Sequence, residues 1–486
     1  MKRVTSILCA SFVILAMTSS AAFGLFWAAA LRLDATDRVG EWTSLALESN
    51  GWPHISYYDA TNTALKYAWW DLTILNWYRA FIESGNDVGK YSSIALSYSA
   101  QVLYVDISWY DETDGDLMHT HFTRDNPPGN FSIVDSGGPT DDDVGQYTSI
   151  ALDNQNYAHI SYYDVDSTNL KYARFTGSGW EITVVDHSGD VGKYSSIGIG
   201  YVNGARRIHI SYYDDTNDDL KYAYYNGSNW NSWSIDTQGD IGKWTSIAVD
   251  SDNHPHISYY DDTNDDLKYA YYDGSSWTRE IADASQGENV GQYTSIALDP
   301  GTNYPRISYY RLHGDPQDGD LKFAYRDNTR WYSEVADNGN GDDVGQYTSL
   351  ALNGSGHPRI SYYDVTDKDL YYIEGMFTLL SPSPWLEREG SQSARSSSFS
   401  QSQPNPFIHR TLISYELLSS APVSLRIYDL TGTLVKTLIN QHQAAGDHSV
   451  LWDGRDERGA DVPAGMYFYK IEGGGSVFSG KTILVR

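Results

Sequence analysis

Short stretches that alternate apolar and polar residues recur along most of the chain at nearly even spacing. Each copy opens with an aliphatic residue and glycine, followed by any residue, an aromatic residue, Ser or Thr, and Ser. The glycines lie 47 to 56 residues apart and are Gly40, Gly89, Gly145, Gly192, Gly242, Gly291 and Gly345. The pattern is therefore a sevenfold tandem repeat, which calls for a repeat architecture.

Within one copy the pattern predicts four short strands. In the fifth copy they are 245–249, 257–261, 267–270 and 277–283, each rich in Tyr, Ile, Val or Trp. Gly, Asn, Asp and Ser separate them, as expected for tight turns. Four strands in each repeat of roughly 50 residues are typical of a β-propeller blade. The sequence thus predicts an all-β protein with a seven-bladed β-propeller over residues 25–380.

The last repeat lacks a recognisable fourth strand, and a candidate for it lies at the other end of the chain. Residues 27–34 resemble the fourth strands that begin at Trp77, Trp180, Trp277 and Trp331. We predict that this N-terminal strand closes the propeller by completing the last blade, with Trp27, Leu31 and Leu33 covering the blade edge. The alternative is that residues 376–380 complete it.

The N-terminal segment and the net charge predict that the chain is exported. A charged start, an apolar run and small residues up to Gly24 predict a signal peptide over residues 1–24, and the single cysteine, Cys9, lies inside it. No other segment is long and apolar enough to span a membrane in the mature form. The net charge of −29 disfavours nucleic acid and anionic membranes. We expect a secreted or outer-membrane surface protein.

The C-terminal part has a different texture. Residues 381–403 are rich in Ser, Pro and Gln and predict a flexible linker, whereas 404–486 predict a small Ig-like β-sandwich. The segments 404–407 (PNPF), 423–432, 452–456 and 463–469 resemble the C-terminal sorting domains of type IX secretion and the Ig-like module of flagellar hook assembly. The resemblance implies contact with secretion machinery. The alternative is an Ig-like spacer without a sorting role.

Two further resemblances concern the blades. Residues 190–194 and 240–244 are similar to the Asp-box of sialidase-like propellers, whose Asp, Gly and aromatic residue have structural roles. The Tyr212-Tyr213 pair and the segment 227–230 resemble propeller lectins of the fucose-binding type. That family grips sugar with Arg and Glu, but this chain has Ile-Ser and Lys-Tyr at the corresponding places. The resemblance therefore implies glycan binding without fucose specificity.

Acidic loops provide a candidate metal site. Propeller connections from strand 2 to strand 3 emerge on the same face as those from strand 4 to strand 1, so negative charge collects on one face. Calcium prefers several oxygen ligands from such loops, and the candidates are Asp214, Asp218, Asp261 and Asp265. The alternative is that these aspartates only form solvated turns. We expect no other cofactor.

A second candidate site is a set of basic residues that precede the isoleucine of strand 2. They could bind an anionic glycan or a peptide carboxylate, and they are His54, His159, His209, His256, Arg306 and Arg359. The alternative is that they pair with a carboxylate of a neighbouring blade or stack on tyrosines.

An active site needs a single set of catalytic residues, so positions that depart from the repeat are the candidates for catalysis. The second copy has His119 and His121 on its third predicted strand, and the sixth has Arg311 in place of Asp. No complete catalytic set emerges, and equivalent sites favour a binder through avidity. We therefore expect a non-catalytic module for an extracellular glycan or protein. The alternative is a secreted carbohydrate-active enzyme, either a sialidase-like hydrolase or a polysaccharide lyase.

Overall fold

Strands account for all the regular structure that is described. A computed structural model describes residues 23–71, 76–138, 143–284, 287–314, 318–379, 399–403, 410–417, 420–429, 433–444, 446–473 and 476–484. Nearly all of the predicted signal peptide, most of the predicted linker and the segment 404–407 lie outside these ranges. No helix in the described part of the chain is long and apolar enough to cross a membrane. The chain divides between residues 383 and 384 into two compact units.

The first unit contains seven antiparallel sheets, and in six of them four consecutive strands pair in chain order. The first two sheets are β3 (Val39–Leu47), β4 (Pro53–Asp59), β5 (Ala64–Asp71) and β6 (Asn76–Glu83), then β7 (Val88–Ser99), β8 (Val102–Asp111), β9 (Asp116–Thr123) and β10 (Asn130–Asp135). The next two are β11 (Val144–Leu152), β12 (Ala158–Asp164), β13 (Asn169–Phe175) and β14 (Trp180–Asp186), then β15 (Val191–Val202), β16 (Ala205–Asp214), β17 (Asp219–Tyr225) and β18 (Trp230–Asp236). The fifth and sixth are β19 (Ile241–Val249), β20 (Pro255–Asp261), β21 (Asp266–Tyr272) and β22 (Trp277–Asp283), then β23 (Asn289–Leu298), β24 (Pro305–Leu312), β25 (Gly319–Arg326) and β26 (Trp331–Asp337).

The seventh sheet combines the two ends of this unit. Its strands are β27 (Val344–Leu352), β28 (Pro358–Asp364), β29 (Asp369–Leu379), β1 (Phe23–Trp27) and β2 (Leu31–Asp34), and both β1 and β2 pair antiparallel with β29. Residues 376–379 continue the third strand instead of forming a fourth one. Leu33 is buried, but Leu31 is 43% exposed, so the expectation that Leu31 covers the edge is wrong. A register shift between Arg32 and Asp34 accompanies this change of side.

Hydroxyl groups connect each sheet to the next and explain the Ser/Thr residues of the repeat. Seven hydrogen bonds of 2.6 to 2.9 Å join strand 1 of one sheet to strand 2 of its neighbour: Thr43–Ser361, Ser56–Ser92, Ser108–Thr148, Ser161–Ser195, Ser211–Thr245, Ser258–Thr294 and Ser308–Thr348. The first of these joins the first sheet to the seventh. The seven sheets therefore have a propeller-like arrangement.

The glycine of the repeat is required by backbone conformation and by a close approach. Gly242 has a φ of +113°, and a Cβ atom there would lie 2.7 Å from the Leu220 Cα atom of the preceding sheet. A side chain would meet both the strain of positive φ and a backbone clash. Apolar residues fill the space between sheets around it, among them Ile247, Ile257 and Tyr259.

The second unit has two sheets around its own core. One pairs β30 (Phe399–Gln403), β31 (Thr411–Leu417) and β34 (Gly446–Trp452); the other pairs β33 (Leu434–Gln443), β32 (Ala421–Tyr428), β35 (Gly465–Gly473) and β36 (Ser476–Leu484). Trp452, Leu425 and Ile427 are completely buried between them. Residues 399–403, which the sequence placed in the linker, form β30 and pair with β31.

Candidate binding site at the central aromatic ring

In strand 1 of each repeat, the aromatic residue lies three positions after the aliphatic residue, at a bulge in the strand. The seven residues share a φ of 48° to 56° and are Trp42, Tyr91, Tyr147, Tyr194, Trp244, Tyr293 and Tyr347. Bulky residues rarely adopt positive φ, and such strain persists only where surrounding structure enforces it. Each of the seven side chains is nevertheless partly exposed. We call this set the aromatic ring.

The members of the aromatic ring contact one another in a closed cycle. Neighbouring ring centroids are 4.7 to 5.4 Å apart, and the last contact joins Tyr347 back to Trp42 at 5.2 Å. The angle between neighbouring planes is 45° to 53°, close to one seventh of a full turn. These spacings are within the range of favourable aromatic pairs. The cycle therefore surrounds the axis about which the seven sheets repeat.

A second layer of tyrosines supports the aromatic ring from outside. Tyr163, the second residue of a Tyr-Tyr pair, packs edge-on against Tyr147 at 6.3 Å, and its hydroxyl donates to Asp190 of the next sheet at 2.7 Å. The same hydroxyl–carboxylate bond recurs from Tyr58 to Asp87, Tyr110 to Asp143, Tyr213 to Asp240 and Tyr310 to Asp343. The aspartate of the Asp-box-like turn thus holds neighbouring sheets together.

In three repeats the residue directly before the aromatic one is a lysine that forms ion pairs with two carboxylates. Lys193 lies between Asp190 at 2.8 Å and Asp215 at 2.6 Å. Lys243 bridges Asp240 and Asp262 in the same way, and Lys90 bridges Asp87 and Glu112. Each group combines one cation with two carboxylates and so carries a net charge of −1.

Burial raises the pKa of the tyrosines of the aromatic ring above the usual value of 10. Burial raises the pKa of Tyr293 to about 12; the hydrogen bond with Tyr347 opposes this rise, and the Asp343 and Glu41 carboxylates add to it. Burial also raises the pKa of Tyr147, against the lowering effect of the Tyr91 hydroxyl and the Lys193 charge. The axis is therefore lined with neutral hydroxyls and π systems.

The predicted histidines are enclosed within the sheets. His54, His159, His209 and His256 are 0 to 7% exposed. In each, Nδ1 shares a hydrogen bond with a tyrosine hydroxyl of strand 3: His54–Tyr67, His159–Tyr172, His209–Tyr222 and His256–Tyr269. Burial lowers the pKa of His159 and of His209 to about 4. These imidazoles are neutral and have no open edge toward solvent.

The other ring nitrogen of each histidine faces a polar group of strand 1 or the loop after it. Nε2 of His54 lies 3.0 Å from Glu48, and that of His159 lies 3.3 Å from Asp153. Burial alone would raise the pKa of Glu48, but the hydrogen bonds from His54 and Tyr98 and the charge of Arg124 lower it. His54 and His159 therefore belong to buried acid–imidazole–hydroxyl chains within one sheet, whereas Nε2 of His209 lies 3.1 Å from Asn253 Oδ1 of the next sheet. The carboxylates come from the same sheet and not from a neighbouring blade, but His54 and His159 do stack on tyrosines, as the alternative stated.

The two predicted arginines occupy the same register with different partners. Arg306 is 8% exposed, donates to the carbonyl of Arg326 at 2.9 Å and lies 3.3 Å from Asp299. Arg359 is partly buried and donates to the carbonyls of Pro358 and Gly375. Both guanidinium groups therefore link strand 2 to backbone carbonyl groups by hydrogen bonds.

The predicted calcium ligands are engaged in turns. Asp214 and Asp261 are 1% and 2% exposed, accept backbone N–H groups of their own loops, and face Lys221 and Lys268 at 3.6 and 3.5 Å. Asp265 accepts a hydrogen bond from the Tyr260 hydroxyl at 2.7 Å, and Asp218 lies 2.9 Å from the Tyr213 hydroxyl, which it shares with Asp240. A lysine ammonium thus lies where a cation would otherwise neutralise Asp214 and Asp261.

A different group has the spacing of metal ligands. Within the described ranges, His313, Asp318 and Asp320 are the set of three whose ligand atoms all lie within 4.8 Å of one another. Arg311 contacts Asp320 in the same place, and its guanidinium disfavours a second cation there.

The second sheet reverses the acid–imidazole arrangement. Asp106 is 2% exposed and accepts hydrogen bonds from His119 Nε2 and His121 Nδ1, both at 3.0 Å. The hydrogen bond to Asp106 raises the pKa of His121, whose ring stacks on Tyr104 at 4.9 Å. The His121 side chain is 47% exposed. This is an exposed imidazole held by a buried carboxylate.

Sequence reasoning missed the aromatic ring as a site, although the signal was present. The aromatic position was recognised in every copy, but its convergence on the axis depends on a strand bulge that spacing alone does not reveal.

Comparison with known proteins gives one family match and several distant structural likenesses. Residues 409–476 match the FlgD Ig-like domain. No curated protein sequence matches the chain. A fucose-recognising lectin from Aleuria aurantia with six blades is 13% identical, with 63% of this chain and 98% of that chain covered and a TM-score of 0.41.

Two other structures are similarly distant. PorZ, a bacterial surface component of the type IX secretion system of Porphyromonas gingivalis, is 13% identical, with coverages of 95% and 58% and a TM-score of 0.37. The polysaccharide lyase Uly1 is 11% identical, with coverages of 68% and 89% and a TM-score of 0.39. None of these likenesses assigns a ligand or a reaction. The chain is an all-β protein with seven sheets in a propeller-like arrangement, followed by a FlgD-type Ig-like domain.

Proposed function

We propose that this chain is an exported, non-catalytic binding module that takes an extracellular glycan or protein ligand at the aromatic ring. The observation that carries the proposal is the closed cycle of seven strained but partly exposed aromatic side chains. Strain of this kind concentrates at ligand-binding positions, and exposed aromatic rings beside polar groups are common anchors for both ligand classes. The enclosed histidines and arginines hold the sheets on which the aromatic ring is built.

The scaffold of this proposal is a seven-bladed propeller closed by the N-terminal strand. Pairing of β1 and β2 with β29 supports this closure. Asp34 of β2 adds support, because its carboxylate accepts two hydrogen bonds from the first sheet. The donors are Lys66 Nζ at 2.5 Å and the Tyr57 hydroxyl at 2.8 Å.

The C-terminal unit is proposed to be a sorting domain for type IX secretion that delivers the propeller to the medium or the outer-membrane surface. The Ig-like domain and the PNPF segment at 404–407 support this role. In a bacterium with that secretion system, the full chain should reach the medium or surface, and a chain truncated after residue 390 should stay inside. Equal export of both forms would refute the sorting role.

The binding proposal is tested with a glycan array and a peptide array, both probed with the full chain and with Tyr147→Leu. We expect saturable binding that Tyr147→Leu weakens. Trp233→Leu is the control, because Trp233 is 49% exposed on a strand 4 away from the aromatic ring. Equal loss in both variants would refute binding at the aromatic ring.

A carbohydrate-active enzyme is the second candidate, and the Asp106–His121 pair favours it. An exposed imidazole with a carboxylate behind it is suited to general acid–base catalysis. Turnover of any arrayed glycan that His121→Asn abolishes, with an unchanged melting temperature, would establish it. Binding without turnover would exclude it for those sugars.

A further inference from the structure

The aromatic ring has the dimensions of a cation-binding site. A seven-sided cycle with sides of 4.7 to 5.4 Å has its centre roughly 6 Å from each centroid, the limit at which a cation is attracted by an aromatic ring. A cation on the axis would therefore lie at about the same distance from all seven aromatic rings. The five tyrosine hydroxyls of the ring offer oxygen atoms to its N–H groups.

The charge around the aromatic ring has the matching sign. The groups centred on Lys90, Lys193 and Lys243 each carry −1, and Asp143 and Asp343 add two carboxylates on the same side. Nearby carboxylates also act on the ring itself, since Asp343 and Glu41, the latter paired with Arg38 at 2.6 Å, both contribute to the raised pKa of Tyr293. Such a potential attracts cations and repels anionic glycans.

We propose that the aromatic ring binds an arginine or lysine side chain presented by a basic segment of a partner protein. The inference rests on the proposed binding function and narrows it to one ligand class. Neutral sugars would use the aromatic faces but gain nothing from the surrounding carboxylates, whereas a basic segment uses both. Guanidinium is favoured over ammonium, because its planar group stacks on aromatic rings and donates several hydrogen bonds.

The test uses the full chain and two fluorescently labelled peptides in an anisotropy titration. One peptide alternates glycine and arginine, and the other replaces each arginine by the neutral isostere citrulline. We expect saturable binding of the arginine peptide that weakens as salt rises, and little binding of the citrulline peptide.

Two substitutions probe the two halves of the inference. Tyr147→Leu should weaken the arginine peptide roughly 3- to 10-fold through the lost cation–π contact. Asp215→Asn should weaken it about 2- to 5-fold and reduce the salt dependence. The matched control is Asp125→Asn: Asp125 is 79% exposed and follows a third strand, at the opposite edge from the acidic loops. The controls Asp125→Asn and Trp233→Leu should bind like the wild type.

The outcomes separate this inference from the proposed function. Equal affinity for both peptides, or unchanged affinity in Asp215→Asn and Tyr147→Leu, would overturn the cation assignment. If only a neutral glycan binds and Tyr147→Leu abolishes its binding, the binding function stands and the cation assignment fails. If no arrayed glycan or peptide binds and the ring variants change only the melting temperature, both proposals fail.

Discussion

A missing lysine in the seventh sheet leads to a pH-dependent prediction. In the fifth sheet Lys268 pairs across from Tyr259 and lies between Asp236 and Asp261, whereas Tyr371 occupies that register in the seventh sheet, across from Tyr362. Asp364, the counterpart of Asp261, is 2% exposed. Burial raises its pKa from 3.8 to about 6, and the Asp367 and Asp342 charges act in the same direction, against the backbone hydrogen bond from Asp367.

The raised pKa of Asp364 makes its ionisation costly in the folded state. Below pH 3.8 the carboxyl is protonated in both states, so it causes no penalty. As pH rises toward 6 the unfolded state loses this proton first, and the free energy of unfolding falls. A shift of this size corresponds to about 3 kcal/mol at most, and about 1–2 kcal/mol after allowance for solvent screening.

Asp364→Asn should therefore stabilise the protein above pH 6 by about 1–2 kcal/mol and have little effect below pH 4. The asparagine keeps the Oδ1 atom that accepts the Asp367 N–H at 2.8 Å. Asp261→Asn is the matched control with the opposite sign, because it removes a carboxylate that faces Lys268, and it should destabilise by about 1 kcal/mol. Urea unfolding across pH measures both variants. Destabilisation by Asp364→Asn at pH 8, or the same sign in both variants, would refute this reasoning.

Three further predictions concern closure, acid stability and calcium. Deleting residues 23–34 should lower the free energy of unfolding by several kcal/mol and cause aggregation, because it exposes the edge of β29 and removes Asp34 from Lys66; melting at the wild-type temperature would contradict closure. Stability should fall as pH drops from 6.5 toward 4, because His159 and His209 stay neutral while the unfolded chain takes up protons, and His209→Asn should flatten this slope in urea titrations. Millimolar calcium should leave the melting curve unchanged at fixed ionic strength, and a rise over the chelator curve would restore the acidic loops as calcium sites.

The sequence was sufficient for the local structure because each repeat encodes its strands, turns and glycine in one short pattern. The aliphatic-Gly pair predicted the start of strand 1, and at Gly242 both the positive φ and the close approach of Leu220 explain the glycine. It was also sufficient for the C-terminal Ig-like domain. The candidate site was not predictable in the same way. His54 and His209 form a regular series in sequence, but whether a strand residue faces the solvent or the neighbouring sheet depends on contacts from residues such as Tyr67 and Asn253.

The hydroxyl bonds between sheets have a consequence for how the chain reaches its native state. The bond from Thr245 to Ser211 spans 34 residues, whereas the equivalent bond from Thr43 to Ser361 spans 318. Loop-closure entropy makes the longer connection about 2 kcal/mol more costly to form. The contact between the first and seventh sheets therefore has the highest contact order, and we expect it to form after the other neighbouring sheets have docked. In a chain that emerges from the ribosome, six of these bonds can form between sheets that are consecutive in sequence, whereas the seventh can form only after the last sheet has been synthesised.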